Sequence, residues 1–172
     1  MKIYNIAIMG IAVALTVVVS RFLSFVIPLF GFTTIKVSFG FIIIFLVSTQ
    51  IHPICGGIVA AIADVVGAFL FPIGAYFPGF TLTSFLAAIM VGYLFKFFNK
   101  NNLKQTSFVA CFSSVAIAMA FITFLNTFWV QILFSVPFKV LIIPRIISTA
   151  IVVILISPAV FFLSRLLKKI VK

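Results

Sequence analysis

The sequence predicts an all-α integral membrane protein: six transmembrane helices in one bundle, with both termini cytoplasmic. Three observations carry this. Apolar residues make up 65% of the chain and charged residues 8%, against about 45–50% and about 25% in soluble domains. The apolar stretches approach the roughly 20 residues that a bilayer crossing needs. They are continuous and do not alternate with a period of two, which selects helices over a barrel. The 172 residues suit one domain, 1–172, with six spans and short connections.

The first span runs from about Asn5 to Val19, extending towards Phe25. Lys2 followed by an apolar run imitates a signal peptide. The run ends in Ser-Arg-Phe-Leu without an Ala-x-Ala site, and further spans follow, so it reads as a retained span. Ala7, Gly10, Ala12 and Ala14 make its first half small, with Gly10 and Ala14 four apart. Such spacing serves packing inside the bundle or docking of another membrane protein. The second span covers about Val37 to Ile51, the third Pro53 to Phe71 and the fourth Phe80 to Phe97. The fifth covers Phe108 to Phe134. The sixth covers Leu141 to Leu167, with Pro158 inside as an expected kink.

With the termini on one side, that side holds eight Lys/Arg: Lys2, Lys96, Lys100, Lys104, Arg165, Lys168, Lys169 and Lys172. The other side holds four: Arg21, Lys36, Lys139 and Arg145. The positive-inside rule places the termini in the cytoplasm. A net charge of +11 raises nucleic-acid binding as a possibility. The basic residues are scattered over span ends and loops, so topology and anionic lipid explain them better, and no nucleic-acid partner is expected. Cys55 and Cys111 lie in apolar runs without a Cys/His cluster, so neither a metal nor a disulfide is expected. The outer connections, Arg21–Lys36, Phe71–Pro78 and Phe134–Arg145, are long and apolar, as a lid folded back over the bundle would be.

Asp64 is the only acidic residue, in the middle of the third span. A charge at that depth costs roughly 2.5–3.5 kcal/mol on insertion scales, so it needs a partner. Asp64 is either a ligand anchor or a brace for a cation such as Arg145. Gly56, Ala60, Ala63 and Gly67 form a small-residue stripe beside it, suited to close helix packing. Arg145, following Pro144 at an expected helix start, opposes the helix dipole unless an anion meets it. Arg21, Lys36 and Lys139 are either interface cations or ligand contacts. Tyr76, Phe77 and Trp129 offer aromatic faces near the same end. Trp129 is a belt residue or a stacking platform, and Asn126 is a polar group one turn below it. Catalysis has no support: one His, no second carboxylate, no nucleophile motif and no phosphate loop. No enzyme activity and no cofactor are expected.

The segment Phe71-Pro-Ile-Gly-Ala-Tyr-Phe-Pro-Gly-Phe-Thr-Leu-Thr, preceded by Gly57-Ile-Val-Ala-Ala-Ile-Ala-Asp64-Val-Val-Gly67, resembles the substrate-binding S components of energy-coupling factor (ECF) vitamin transporters, most closely the folate branch. Lys36-Val-Ser-Phe-Gly-Phe resembles the same branch. The resemblance implies a bacterial plasma-membrane protein, a bundle holding one vitamin under its outer loops. It further implies assembly with a transmembrane coupling subunit (EcfT) and two cytoplasmic ATPases. Small residues of the first helix contact the coupling subunit in this family, which makes Ala7, Gly10 and Ala14 the docking candidates. The family's Ala-x-x-x-Ala pattern is replaced here by Gly10 and Ala14, since Ala7 is followed four later by Ile11.

Folate suits the inventory. Its pterin can stack on Trp129, Tyr76 or Phe77 and donate to Asp64 or Asn126, and its glutamate tail can meet Arg21, Lys36, Lys139 or Arg145. The alternatives are a different water-soluble vitamin, which if neutral would not need the four outer cations, and a stand-alone proton-coupled transporter, for which a single carboxylate is thin provision.

Overall fold

The computed structural model describes residues 3–29, 32–71, 76–100, 107–135 and 137–170, with side chains over 4–23, 38–71, 76–100, 107–135 and 137–167. Helix α1 spans Ile3–Phe22, strands β1 and β2 span Ser24–Leu29 and Phe32–Ser38, and α2 spans Gly40–Gln50. Helices α3 to α6 follow at Pro53–Leu70, Pro78–Phe98, Phe108–Phe134 and Phe138–Ile170. Among the described residues, five of these six helices are long and apolar enough to cross a membrane.

The exception corrects the expected second span. α2 has 11 residues, about 16 Å at the α-helical rise, roughly half of a hydrocarbon core. Val37 and Ser38, expected at the start of that span, belong instead to β2. Among the described residues the secondary structure is therefore helical except for one antiparallel hairpin, with Ser24 opposite Ser38 and Ile27 opposite Ile35. The register slips between Ile27 and Leu29. Pro28 lies at that slip, where a residue without an N–H costs the ladder least.

The long helices pack in sequence, α3 on α4, α4 on α5 and α5 on α6, with α1 against α3. The short α2 lies among α1, α3, α4 and α6, and β2 runs beside α6. The end of the bundle that carries the hairpin thus lacks a central helix. At the opposite end the interior is apolar: Phe45 of α2 packs with Val91, Phe95, Cys111, Val115 and Ile156. Phe45 and Ile156 are among the largest fully buried side chains.

Close approach of α3 explains its small residues. A Cβ at Gly56 would fall on Ser48 of α2, and one at Gly57 would lie 2.8 Å from Ile89 of α4. Gly92 of α4 similarly accommodates Pro53 and the Ser48 carbonyl. His52 caps α3 by accepting the Ile54 N–H at Nδ1, and Pro53 opens the first turn.

Helix α6 differs from expectation at its start. It begins at Phe138 and continues through both Pro144 and Pro158. Arg145 therefore lies two turns inside the helix, beyond the first turn where the dipole acts, so the dipole argument for an anionic partner does not apply. The connection before it is shorter than expected because α6 starts at Phe138; α5 ends at Phe134, as expected, and closes on Ser135 in the left-handed conformation at φ 53°.

Candidate functional site

Where α2 stops short, a cavity of about 470 Å³ opens, walled by all six helices and by Ser38 of β2. Helical periodicity brings its polar groups to one place. Arg145, Ser148, Thr149 and Val152 form one face of α6, and Ile122, Thr123, Asn126 and Val130 one face of α5. α3 contributes Ala60, Ala63 and Asp64. α2 enters through Gly40, Phe41 and Ile44, and its N-terminus has no side-chain cap. Gly40 permits this by its closeness to α1, where a Cβ would lie 2.9 Å from Ser20 Cβ.

Four residues singled out from the sequence line this cavity together: Arg21, Asp64, Asn126 and Arg145. The brace between Asp64 and Arg145 is not present. Asp64 Oδ2 accepts a 2.6 Å hydrogen bond from Thr81 Oγ1, and the Thr81 hydroxyl contacts Tyr76 Oη at 3.0 Å. Arg145 donates instead to Thr127 Oγ1 at 3.2 Å. Asp64 on α3 accepts from a hydroxyl of α4, whereas Arg145 on α6 donates to a hydroxyl of α5.

Arg21 lines the cavity from the last turn of α1. Its guanidinium lies against Gly67 of α3, where a Cβ would be 3.0 Å from Nη2 and 3.2 Å from Nε. Gly67 is thus a slot for a cation as well as a member of the small stripe. Asn126 Oδ1 is buried and has no hydrogen-bond partner among the described residues. An unpaired buried carbonyl costs about 1–3 kcal/mol, so an acceptor aimed into a cavity is poised for a donor from outside the chain.

The remaining candidates lie elsewhere. Trp129 does not line the cavity. Its indole N–H donates to Thr83 Oγ1 at 3.0 Å, and its ring packs on Phe77 with centroids 5.5 Å apart, over Gly79. Phe77 packs in turn on Phe80, which does line the cavity. Tyr76 reaches the site only through Thr81. Lys139 is exposed at the start of α6. Lys36 is in β2, opposite Val26, and its side chain lies outside the described residues. On α1, Ala7, Gly10 and Ala14 are all exposed, and a Cβ at Gly10 would meet nothing within 4 Å. They take no part in packing this bundle.

Sequence reasoning missed Thr81, Thr123, Thr127 and Thr149. The signal was available: Thr123, Asn126 and Thr127 on α5, and Arg145, Ser148 and Thr149 on α6, are polar stripes at helical spacing in otherwise apolar runs.

Five membrane-length helices enclosing a charged cavity at one end define a multi-pass membrane protein with an internal polar site. The model of the family described as "ECF-type riboflavin transporter, S component" matches residues 1–169. The folate transporter FolT of Clostridium novyi (strain NT) is 37% identical over 153 residues, covering 88% of this chain and 83% of that protein. A crystal structure of FolT bound with folic acid superposes with a TM-score of 0.76 at 31% identity, over 95% of this chain and 93% of that one. A solved S component of a bacterial ECF transporter shares the fold at TM-score 0.74, with 23% identity and 98% coverage of both chains. This chain belongs to the S-component family of ECF-type transporters, as the resemblance of residues 57–83 implied. It is a transporter component and its relatives are not enzymes.

Proposed function

We propose that this chain captures folate at the membrane and delivers it to an ATP-driven ECF importer. One observation carries the choice of ligand: the cavity holds two guanidinium groups, Arg21 and Arg145, and one carboxylate, Asp64. Asp64 is the only acidic residue of the chain, so protein alone leaves the site with excess positive charge at membrane depth. An anionic ligand removes that cost. Folate brings two carboxylates; riboflavin is uncharged and leaves both arginines unanswered.

The polar pattern also matches a pterin. Asp64 and the unpaired Asn126 Oδ1 are acceptors for its amino and ring N–H groups. Phe41 and Phe80 provide aromatic faces inside the cavity. The planar head enters first because its desolvation is cheaper than that of a dicarboxylate. The glutamate tail is held by Arg21 and Arg145, the two guanidinium groups of the cavity, with Lys36 of β2 and Lys139 as further cations of the site. The uncapped N-terminus of α2 adds positive potential from below.

The whole chain, 1–172, acts as one domain with both termini cytoplasmic, as the Lys/Arg asymmetry favours. The cavity then opens outward. The exposed small face of α1 at Ala7, Gly10 and Ala14 docks on the coupling subunit, and two ATPase subunits supply the energy. The residues for ATP chemistry are expected on those partners.

The test is isothermal titration of detergent-purified protein with folate, riboflavin and thiamin in parallel. Calorimetry is preferred to fluorescence because Trp129 lies outside the cavity. Saturable binding of folate alone, on the order of micromolar or tighter, supports the reading. Binding of riboflavin and not folate transfers the assignment to the vitamin in the family description.

A further inference from the structure

Four hydrogen bonds close into a ring on the facing sides of α5 and α6, one within each helix and two across. Thr127 Oγ1 donates to the Thr123 carbonyl at 2.6 Å, an ordinary bond to the preceding turn. Thr149 Oγ1 donates to the Arg145 carbonyl at 2.7 Å. Each hydroxyl has one proton, so both threonine oxygens are left as acceptors. The contact between Thr123 Oγ1 and Thr149 Oγ1 then has only one consistent direction, with Thr123 as donor. The Arg145 guanidinium completes the ring by donating Nη1–H to Thr127 Oγ1.

Backbone bonding alone accounts for the first two bonds and for neither of the others. Thr127 is fully buried and its oxygen, with its proton spent, can receive only a donor. It holds one N–H of Arg145. A guanidinium has five, and the residue lines the cavity, so the remaining donors are available on the cavity side. Thr123 and Thr149 line the cavity as well. They tie the α6 backbone at Arg145 to α5, so the guanidinium is constrained at both its root and its tip. A freely rotating arginine would lose more conformational entropy on meeting a ligand.

We propose that Thr127 is the positioning residue for Arg145, fixing the guanidinium so that it presents donors to acceptor atoms of the bound ligand. This rests on the folate reading given above. Thr127 itself does not touch the ligand.

The test is a double-mutant cycle read by calorimetric folate affinity, with melting temperature measured alongside. Thr127→Val removes the acceptor at nearly constant volume. It is expected to weaken folate binding about tenfold, the scale of one hydrogen bond to a charged group. Thr127→Ser, which keeps the acceptor, is expected to stay within about twofold of wild type. In an Arg145→Gln background the same Thr127→Val change is expected to cost nothing further, because the group it positions is gone. Arg145→Met, which likewise has no donor for Thr127, replaces Gln if that variant does not fold. Unchanged affinity in Thr127→Val overturns the proposal. So does an equal loss in both backgrounds, which marks a general packing role. A wild-type protein that binds no folate removes the folate reading and this inference with it, an outcome distinct from the other two.

Discussion

The guanidinium of Arg21 occupies the space left by the missing side chain of Gly67. A Cβ on Gly67 would come within 3.0 Å of Arg21 Nη2, tighter than ordinary van der Waals contact. The neighbour is the end of a flexible side chain, so it can yield. Gly67→Ala is therefore expected to separate two quantities. Stability holds or rises, since Ala is favoured over Gly in a helix by about 1 kcal/mol. Folate affinity falls several-fold, because Arg21 is displaced from its place in the cavity wall. Melting temperature and calorimetric affinity moving in opposite directions is the signature; a fall in both counts against this account of Gly67.

Asp64 takes its observed hydrogen bond from Thr81, not from a cation. Asp64→Asn is expected to fold normally and to lose affinity by about 10- to 100-fold, from the loss of charge-assisted bonds. Yield and elution profile of the variant report on folding, and titration reports on binding. Lower yield with unchanged affinity in the surviving fraction would restore the bracing role.

Trp129 is bonded to Thr83 and packed on Phe77, away from the cavity wall. Trp129→Phe is expected to leave folate affinity within about twofold, while losing one neutral hydrogen bond worth about 1 kcal/mol of stability. A large loss of affinity would place the indole against the ligand after all.

Gly10 faces outward with nothing of this chain within 4 Å of its would-be Cβ. Gly10→Leu is expected to leave melting temperature and folate affinity unchanged. The same change is expected to abolish co-purification with the coupling subunit and folate uptake by cells, since a large side chain prevents close helix approach. Retained uptake would remove this face from the docking surface.

Much of the molecule could be read without coordinates. The third, fourth and fifth spans fall within two residues of the observed helices at Pro53–Leu70, Pro78–Phe98 and Phe108–Phe134, because each is a long apolar run bounded by Pro, Ser or a polar tract. Arg21, Asp64, Asn126 and Arg145 could be singled out because a polar side chain in such a run is expensive and needs a reason. The second span failed for the same logic. Val37 onwards is as apolar as a helix, and hydropathy does not distinguish a short apolar strand from the start of a span. The role of Trp129 stays undecided in the sequence because a position near a span end suits several roles equally.

The sequence by itself determined the membrane setting, the approximate spans and the inventory of charges, since all three follow from the cost of placing each residue type in hydrocarbon. The tertiary structure alone decided the half-length α2 that opens the cavity, the slot at Gly67 and the partners of the polar groups. Asp64 meets Thr81 across 17 positions, Arg145 meets Thr127 across 18, and Trp129 meets Thr83 across 46. Such pairings depend on the rotation and depth of one helix against another. Burial cost constrains which residues need a partner, and only the packing of the helices selects which partner they find.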